Sequence, residues 1–299
     1  PLYSSAASDV YKRQELTAQY SKSFGDHNLK AIGGYSFQKF KNDGFSAGNS
    51  DFLVDGFGYN SLGSGNYKKP SVSSWASINS IASLFARANY SYKGKYLLEA
   101  TVRADAASNF APENRWGYFP SVSAGWMISE ENFMKGASKW LSMLKLRASY
   151  GQTGTENGVN RFGYLSTYSL DEKKIVIGGK LQSGFSEGAL VSPELLSWYQ
   201  VNSFNLGLDM AFFNNRLKGT FDYFYYVTKG GLMSPGDRYT TPLGKPLPQI
   251  KSNSEQRREG VELTMRWSDM TPRKFTYEVG FNMTYFNSCL LYTSDAADE

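Results

Sequence analysis

Long runs of alternating apolar and polar residues constrain the fold of this chain more than any other feature. Three of them lie between residues 95 and 150. Their apolar positions are Tyr96, Leu98, Ala100 and Val102, then Val122, Ala124 and Trp126, then Leu144, Leu146, Ala148 and Tyr150. Successive side chains of a β-strand point to opposite faces of a sheet. Each run therefore predicts a strand with one apolar face and one largely polar face.

The same alternation predicts about ten strands along the chain. They cover residues 15–24, 28–40, 81–92, 95–106, 116–127, 143–151, 201–213, 216–228, 259–267 and 275–286. Strands of soluble proteins average about five to six residues, whereas a tilted strand needs about 9–11 residues to cross a bilayer. The length of the runs therefore favours a membrane β-barrel over a soluble β-sandwich.

The predicted connections differ in length in a regular way. Short turns stand at Gly25-Asp26-His27, Lys93-Gly94, Asn214-Asn215 and Pro272. Long loops are predicted at 41–80, 152–200 and 229–258, the second with a short hairpin near 162–170 and 175–181. A helical turn is possible within 128–142. Membrane barrels combine short turns at one end with longer loops at the other, so the pattern predicts an all-β, antiparallel, transmembrane barrel segment.

Composition agrees with that fold class. Aromatic residues make up 16% of the 299 residues, the mean hydropathy is −0.44, and no apolar run is long enough for a transmembrane helix. Only every second side chain of a barrel strand faces lipid, and this keeps the mean hydropathy low. Aromatic residues flank the predicted short turns and suit a membrane-interface girdle, with cross-strand ring packing as the alternative. These residues are Tyr90, Tyr92, Tyr96, Phe212, Trp267 and Phe275.

Several segments carry a family resemblance. They are 114–121 (NRWGYFPS), 123–126 (SAGW), 128–131 (ISEE), 144–151 (LKLRASYG), 205–209 (NLGLD), 214–217 (NNRL), 221–223 (FDY) and 259–263 (EGVEL). Taken together and in this order, they resemble the barrel of SusC/RagA-type TonB-dependent outer-membrane transporters. The resemblance covers most of residues 90–285.

The resemblance implies a function. A full member has a barrel of about 22 strands that encloses an N-terminal plug. It imports an oligosaccharide or a peptide across the outer membrane of a Gram-negative cell, together with a SusD-like surface lipoprotein and the TonB complex. The long loops of this segment would then face substrate and lipoprotein. Two alternatives stay open, namely a simple porin or siderophore-type barrel and a soluble all-β glycan-binding module.

The two ends of the chain are expected to be adaptor-encoded. Codons for residues 4–14 (SSAASDVYKRQ) can be chosen so that their reverse complement encodes CLLYTSDAAD and an incomplete codon compatible with Glu299. That DNA string resembles a transposase-type sequencing adaptor. We therefore expect 1–14 and 289–299 to be artefacts, and 15–288 to be a barrel piece of a longer gene that lacks the plug.

The sequence offers no constellation for catalysis, for a cofactor or for a metal, and it identifies no substrate-binding residue. Its only histidine is His27, in a predicted turn, and its only cysteine is Cys289. Gly56-Phe57-Gly58 lacks the rest of a dinucleotide fingerprint. Asp105 and Glu113 leave a calcium site or an acidic pair as an alternative to a solvated loop. The net charge of +5 is spread along the chain, so nucleic acid is not an expected partner.

The final predicted strand, 275–286, and the strand 216–228 allow a prediction of faces. Alternate residues of the final strand would face lipid, and those between them would face the lumen. The lipid-facing set is Phe275, Tyr277, Val279, Phe281, Met283 and Tyr285. Phe224 and Tyr226 fall on the lumen side of their strand. Ten strands taken from a larger barrel leave two unpaired edges, so we predict an open, curved sheet.

Overall fold

The computed structural model describes residues 2–53, 55–66, 70–156, 158–159, 163–166, 168–187, 196–233, 250–251, 255–272 and 274–291. Fourteen strands lie in these ranges. They are β1 (Leu2–Phe24), β2 (His27–Asn49), β3 (Ser71–Tyr92), β4 (Tyr96–Ala107), β5 (Trp116–Met127), β6 (Leu141–Thr155), β7 (Tyr168–Ile177), β8 (Lys180–Glu187), β9 (Tyr199–Phe212), β10 (Leu217–Lys229), β11 (Leu232–Met233), β12 (Ile250–Lys251), β13 (Glu255–Met270) and β14 (Thr276–Leu291).

Ten of the strands form one antiparallel sheet. Its order is β1-β2-β3-β4-β5-β6-β9-β10-β13-β14, and β7–β8 and β11–β12 form separate two-stranded hairpins. Within the described residues, β1 and β14 each pair on one side only, so the sheet is not closed. The prediction of about ten strands in an open antiparallel sheet is confirmed.

The three longest connections of the ten-stranded sheet all lie at one of its ends. At one end, called the turn end, the connections are residues 25–26, 93–95, 128–140, 213–216 and 271–275. At the other, called the long-connection end, they are 50–70, 108–115, 156–198 and 230–254. Lys93 and Gly94 have φ of 54° and 67°, which is the left-handed conformation that a tight hairpin turn requires.

Several predicted boundaries were wrong, mostly because strands extend further than their sequence pattern. β2 continues to Asn49 and β3 begins at Ser71, so the connection between them is 50–70 rather than 41–80. The added part is rich in Gly, Ser and Asn, which have low strand propensity, but pairing with a neighbour overrides that preference. The hairpin in the second long connection lies later than predicted, at β7 and β8.

The strand at the start of the chain is also longer than predicted. β1 pairs with β2 over its whole length, from Leu2 opposite Asn49 to Phe24 opposite His27. It includes residues 4–14, and their adaptor origin stays a prediction. At about 3.3 Å per residue, 23 residues span about 75 Å, well beyond the roughly 30 Å of a bilayer core. The first three strands therefore extend past the others at the long-connection end.

The register places apolar residues of all ten strands on one face, called the apolar face. Tyr150 pairs with Val122 and Phe204, and Leu146 pairs with Trp126 and Leu208. Within β14, the predicted set from Tyr277 to Tyr285 shares this face through pairs such as Met283 with Leu263 and Phe281 with Met265. Among the described residues no second layer covers this face, and Val279 and Tyr285 are 65% and 70% exposed.

The opposite face, called the polar face, carries the alternate residues. Typical members are Glu99, Ser123 and Ser149, which pair across β4, β5 and β6. A sheet with one apolar and one polar side and no covering layer exposes far more apolar surface than a water-soluble domain tolerates. No described helix is long and apolar enough to cross a membrane.

Aromatic rings line the turn end on the apolar face. Neighbouring ring centroids are 5.3 Å apart for Phe24–His27, 4.8 Å for His27–Tyr92, 6.3 Å for Tyr92–Tyr96, 6.5 Å for Trp126–Phe133, 5.9 Å for Trp140–Phe212 and 6.4 Å for Phe213–Trp267. The strand-end aromatics singled out in the sequence therefore converge on one end of the sheet. His27 was expected in a turn but begins β2, where its Nδ1 lies 2.7 Å from the Tyr90 hydroxyl.

Candidate functional site

The centre of the polar face holds a charged cluster around Arg147. Its guanidinium donates from Nε to Asp209 at 2.8 Å and from Nη2 to Asp222 at 3.1 Å. The three side chains come from β6, β9 and β10, and each is between 18% and 33% exposed. One cation thus bridges two carboxylates that would otherwise repel each other, which is the geometry that suits a forked guanidinium.

A glycine lets Arg147 reach the more distant carboxylate. Gly207 of β9 lies between Arg147 and Asp222 in the register. A Cβ added at Gly207 would lie 2.4 Å from Asp222 Oδ1 and 2.7 Å from Arg147 Cζ. The absence of a side chain at Gly207 therefore opens the path along which the guanidinium crosses one strand.

Replacing Gly207 by alanine should expel Arg147 from this path and destabilise the sheet. We expect a loss of about 1–2 kcal/mol, because overpacking of this kind outweighs the better strand propensity of alanine. Gly125 is the matched control, since it flanks Arg147 on the other side and an added Cβ there meets only the flexible end of Lys145 at 3.2 Å and Leu97 at 3.4 Å. Urea unfolding in detergent micelles measures the free energy of unfolding of both variants. An equal decrease for the two would contradict the prediction.

A small apolar core lies at the long-connection end. Trp198 is 3% exposed and packs against Phe110 and Phe119, with ring centroids 5.2 Å and 5.4 Å away. Its indole Nε1 donates to the Arg115 carbonyl at 3.1 Å. Phe119 is on the polar face of β5, so this core fastens the connections 108–115 and 156–198 onto that face.

Arg103 forms a second ion pair on the polar face, beside that core. Its Nε donates to both oxygens of Asp105 at 2.8 Å, and its Nη2 lies 3.0 Å from the hydroxyl of buried Ser83. Asp105 is thus engaged by a cation. The described residues contain no group of three or more acidic, His or Cys side chains placed to hold a metal ion.

Phe224 and Tyr226 lie on the polar face, as the alternation in β10 predicts. Phe224 is 5% exposed, stacks on Tyr226 at 5.1 Å between centroids, and pairs with Gly260 of β13. A Cβ added at Gly260 would lie 2.7 Å from the Phe224 ring. The glycine therefore makes room for the ring, and the packing of the sheet accounts for this aromatic pair.

Grooves open on both faces of the sheet, and their linings differ in kind. One polar-face groove includes Lys30, Glu99, Lys145 and Arg147, and another includes Gln38, Thr101, Arg103 and Gln152. A groove on the apolar face includes Leu84, Ala86 and Val102. Charged and hydrogen-bonding side chains thus concentrate on the polar face, which makes it the candidate surface for a polar ligand.

At the turn end, Glu131 ties the connection 128–140 to the sheet. Its carboxylate accepts hydrogen bonds from the Tyr96 hydroxyl at 2.7 Å and from Trp126 Nε1 at 3.2 Å, and it pairs with Lys95 Nζ at 3.3 Å. These contacts lower the pKa of the Glu131 carboxyl, chiefly through the Tyr96 hydrogen bond and then through Trp126 and Lys95. The sequence offered no signal for this anchor beyond the ISEE segment.

The Glu131 anchor should make the turn end sensitive to acid. A carboxyl whose pKa is lowered in the folded state stabilises it above the unfolded value of about 4.3 and loses that contribution as pH falls through the lowered pKa. Thermal unfolding at neutral pH and in that acid range should show a smaller pH dependence for Glu131→Gln than for the parent. The control is Glu130→Gln, because Tyr96, Trp126 and Lys95 contact the carboxylate of Glu131 and not that of Glu130. This variant should leave the pH dependence unchanged.

The structure brings together motif residues that are far apart in the sequence. Arg147, Asp209 and Asp222 come from three of the segments that carried the family resemblance, and Glu262 of a fourth pairs with Asp222 in the register. Sequence reasoning missed this cluster, although the alternation within each strand places all of these residues on the polar face. Gly56-Phe57-Gly58 lies in a 3-10 helix at Asp55–Ser64.

Comparison with known proteins matches this chain to a family. The model of the family described as "TonB dependent receptor-like, beta-barrel" matches residues 2–299. The chain is 32% identical over 286 residues to TonB-dependent receptor P3 of Formosa agariphila, covering 93% of this chain and 27% of that protein. It is 31% identical over 272 residues to the TonB-dependent receptor SusC of Bacteroides thetaiotaomicron, covering 90% and 26%.

A solved structure shares the fold. The RagAB peptide importer in its open-open state superposes with a TM-score of 0.85 at 23% identity, over 98% of this chain and 31% of that chain. The chain thus spans about a quarter of the length of the curated relatives and about a third of that structure.

Proposed function

Since the chain belongs to the TonB-dependent receptor-like β-barrel family, we propose that its ten-stranded sheet is part of the wall of an outer-membrane transporter in a Gram-negative cell. The apolar face contacts lipid and the polar face lines the lumen. The turn end faces the periplasm, and the long-connection end faces the outside. Further strands close the barrel by pairing with β1 and β14.

One observation carries this proposal. The sheet is a single layer whose apolar face crosses all ten strands, while the ion pairs of Arg147 and Arg103 stand on the other face. In water the apolar face would need a covering layer, and lipid supplies one. A soluble glycan-binding module would instead bury one face of its sheet against a second sheet.

We further propose that the transporter imports an oligosaccharide or a peptide, together with a SusD-like surface lipoprotein and driven by TonB. The likeness to SusC and the fold shared with a RagAB peptide importer support this class over a siderophore receptor or a porin. The polar-face grooves supply charged and amide side chains suited to such substrates. Trp198 and its neighbours hold the long connections over that face, where substrate and lipoprotein would meet them.

The membrane placement is tested by lipid quenching at two neighbouring positions. Cys289 is changed to Ser, and a single cysteine is placed at Val122 on the apolar face or at Ser123 on the polar face. Each variant is labelled with bimane and refolded into vesicles that contain brominated phospholipid. We expect quenching at Val122 and little at Ser123. Equal quenching at both positions, or a monodisperse chain without detergent or lipid, would favour the soluble module and overturn the proposal.

The import proposal is tested in the organism that carries the gene. Deleting the whole gene should abolish growth on one limiting oligosaccharide or peptide source, and deleting a neighbouring gene for a surface lipoprotein should have the same effect. Growth that depends instead on an iron chelate, or that survives loss of TonB, would reject import of this class while leaving the barrel wall intact.

A further inference from the structure

The connection 128–140, called the basal loop, differs from the other connections at the turn end. It is the longest of the five and contains two 3-10 helices, Ile128–Glu130 and Asn132–Ala137. A hairpin needs only two to five residues to join adjacent strands. The length of the basal loop therefore provides more chain than the β5–β6 turn requires.

The basal loop presents two large aromatic side chains on the apolar side of the sheet. Phe133 is 69% exposed and lies 6.5 Å from the ring of Trp126, which is on the apolar face. Trp140 is 51% exposed and stacks on Phe212 at 5.9 Å with an angle of 4°. Both rings thus continue the apolar face beyond the ends of the strands, while their outer surfaces remain uncovered.

The loop is held in this position by the sheet. The Glu131 carboxylate accepts from Tyr96 and Trp126 and pairs with Lys95, so the segment between the two 3-10 helices cannot swing away without breaking these contacts. The Phe213 amide also donates to the Trp140 carbonyl at 2.8 Å. The exposed rings are therefore presented on a fixed support.

Positive charge accompanies the exposed rings. Lys135 and Lys139 of the basal loop are exposed and form no ion pair with any described side chain. By sequence, the five turn-end connections carry seven Lys or Arg against three Asp or Glu. Aromatic rings beside lysines match the boundary of a phospholipid layer, where rings lie among the headgroups and ammonium groups meet phosphates.

We propose that the basal loop is a phospholipid-binding surface that lies in the headgroup layer at the turn end, with Phe133 and Trp140 inserted and Lys135 and Lys139 bound to anionic headgroups. The proposal rests on the membrane placement of the apolar face given above. Two observations select this occupant, namely the continuity of the rings with the apolar face and the complementarity of the unpaired lysines to lipid phosphate.

The test compares the depth of labels in one membrane. On the Cys289→Ser background, bimane is attached to a cysteine at Phe133, at Val122 in mid-strand, or at Ser91, which lies near the turn end on the polar face. Vesicles carry bromine either near the headgroups or deep in the acyl chains. We expect the Phe133 label to be quenched most by shallow bromine, the Val122 label most by deep bromine, and the Ser91 label by neither.

The outcomes separate this proposal from the previous one. Quenching at Val122 without quenching at Phe133 overturns the basal-loop proposal and leaves the barrel wall standing, whereas no quenching at either position overturns both. A Phe133 label that stays unquenched while the chain dimerises in detergent assigns the rings to a second copy and likewise overturns the proposal.

The role of the lysines is tested with lipid charge. Adding phosphatidylglycerol to phosphatidylcholine vesicles should increase shallow quenching at Phe133, and the increase should be lost in Lys135→Gln/Lys139→Gln. The control is Lys39→Gln/Lys180→Gln, two exposed lysines toward the long-connection end, which should retain it. Circular dichroism confirms that each variant has folded. An increase that persists without Lys135 and Lys139 would contradict the assignment of headgroup binding to them.

Discussion

Replacing Trp198 by alanine is expected to release the long connections from the polar face. The variant loses a ring that is 3% exposed, together with its contacts to Phe110 and Phe119 and its hydrogen bond to the Arg115 carbonyl. Truncating a buried Trp typically costs about 3–5 kcal/mol, and we expect about 3 kcal/mol here because the cluster is small and water can reach the freed carbonyl. Hydrogen exchange of residues 105–119 and 196–203 in detergent micelles measures this loss of stability as a loss of amide protection.

The matched control is Trp116→Ala. Trp116 is close in sequence to the same core but is on the apolar face and is 46% exposed. In micelles, where detergent covers that face, its loss should leave exchange at 196–203 nearly unchanged. Unchanged protection in Trp198→Ala would show that other contacts hold the connections over the polar face.

Replacing Arg147 by methionine is expected to destabilise the sheet itself. Asp209 and Asp222 would then be diagonal neighbours on adjacent strands without the guanidinium that joins them. Breaking a buried ion pair costs about 3–5 kcal/mol, but Arg147 is one-third exposed, so water screens part of the repulsion and we expect about 2 kcal/mol. Reversible urea unfolding in vesicles measures the change.

Two further variants identify the cause. The combination Arg147→Met with Asp209→Asn and Asp222→Asn removes the unpaired charges and should recover most of the loss. Arg147→Lys should recover less, because an ammonium group does not bridge two carboxylates as a guanidinium does. Arg87→Met breaks an exposed polar-face pair with Glu99 at 3.8 Å and should change stability by less than about 1 kcal/mol. A similar loss in Arg87→Met would contradict the special role of the bridge.

The fold class could be predicted from sequence because alternation is a local property. Whether Val122 or Ser123 stands on the apolar face follows from the pleat of one strand, and no partner has to be known. The ten strands, their antiparallel order and the placement of the three longest connections at one end follow from the same patterns and from turn residues. Strand ends were less predictable, since the Gly-rich and Ser-rich extensions of β2 and β3 form only because a neighbour pairs with them.

The contacts of the Arg147 cluster and of the Trp198 core were decided by the tertiary structure alone. Arg147 meets Asp209 and Asp222, 62 and 75 residues away, because the β6–β9–β10 register places Asp222 in its own row and Asp209 in the adjacent row of the polar face, and Gly207 leaves the path to Asp222 open. Trp198 packs against Phe119 only because the end of the connection 156–198 comes back to the polar face of the sheet. Alternation fixes the face of the sheet on which a side chain stands. The partners of that side chain depend on the strand register and on where each connection packs, and the register is set by the pairing of whole strands.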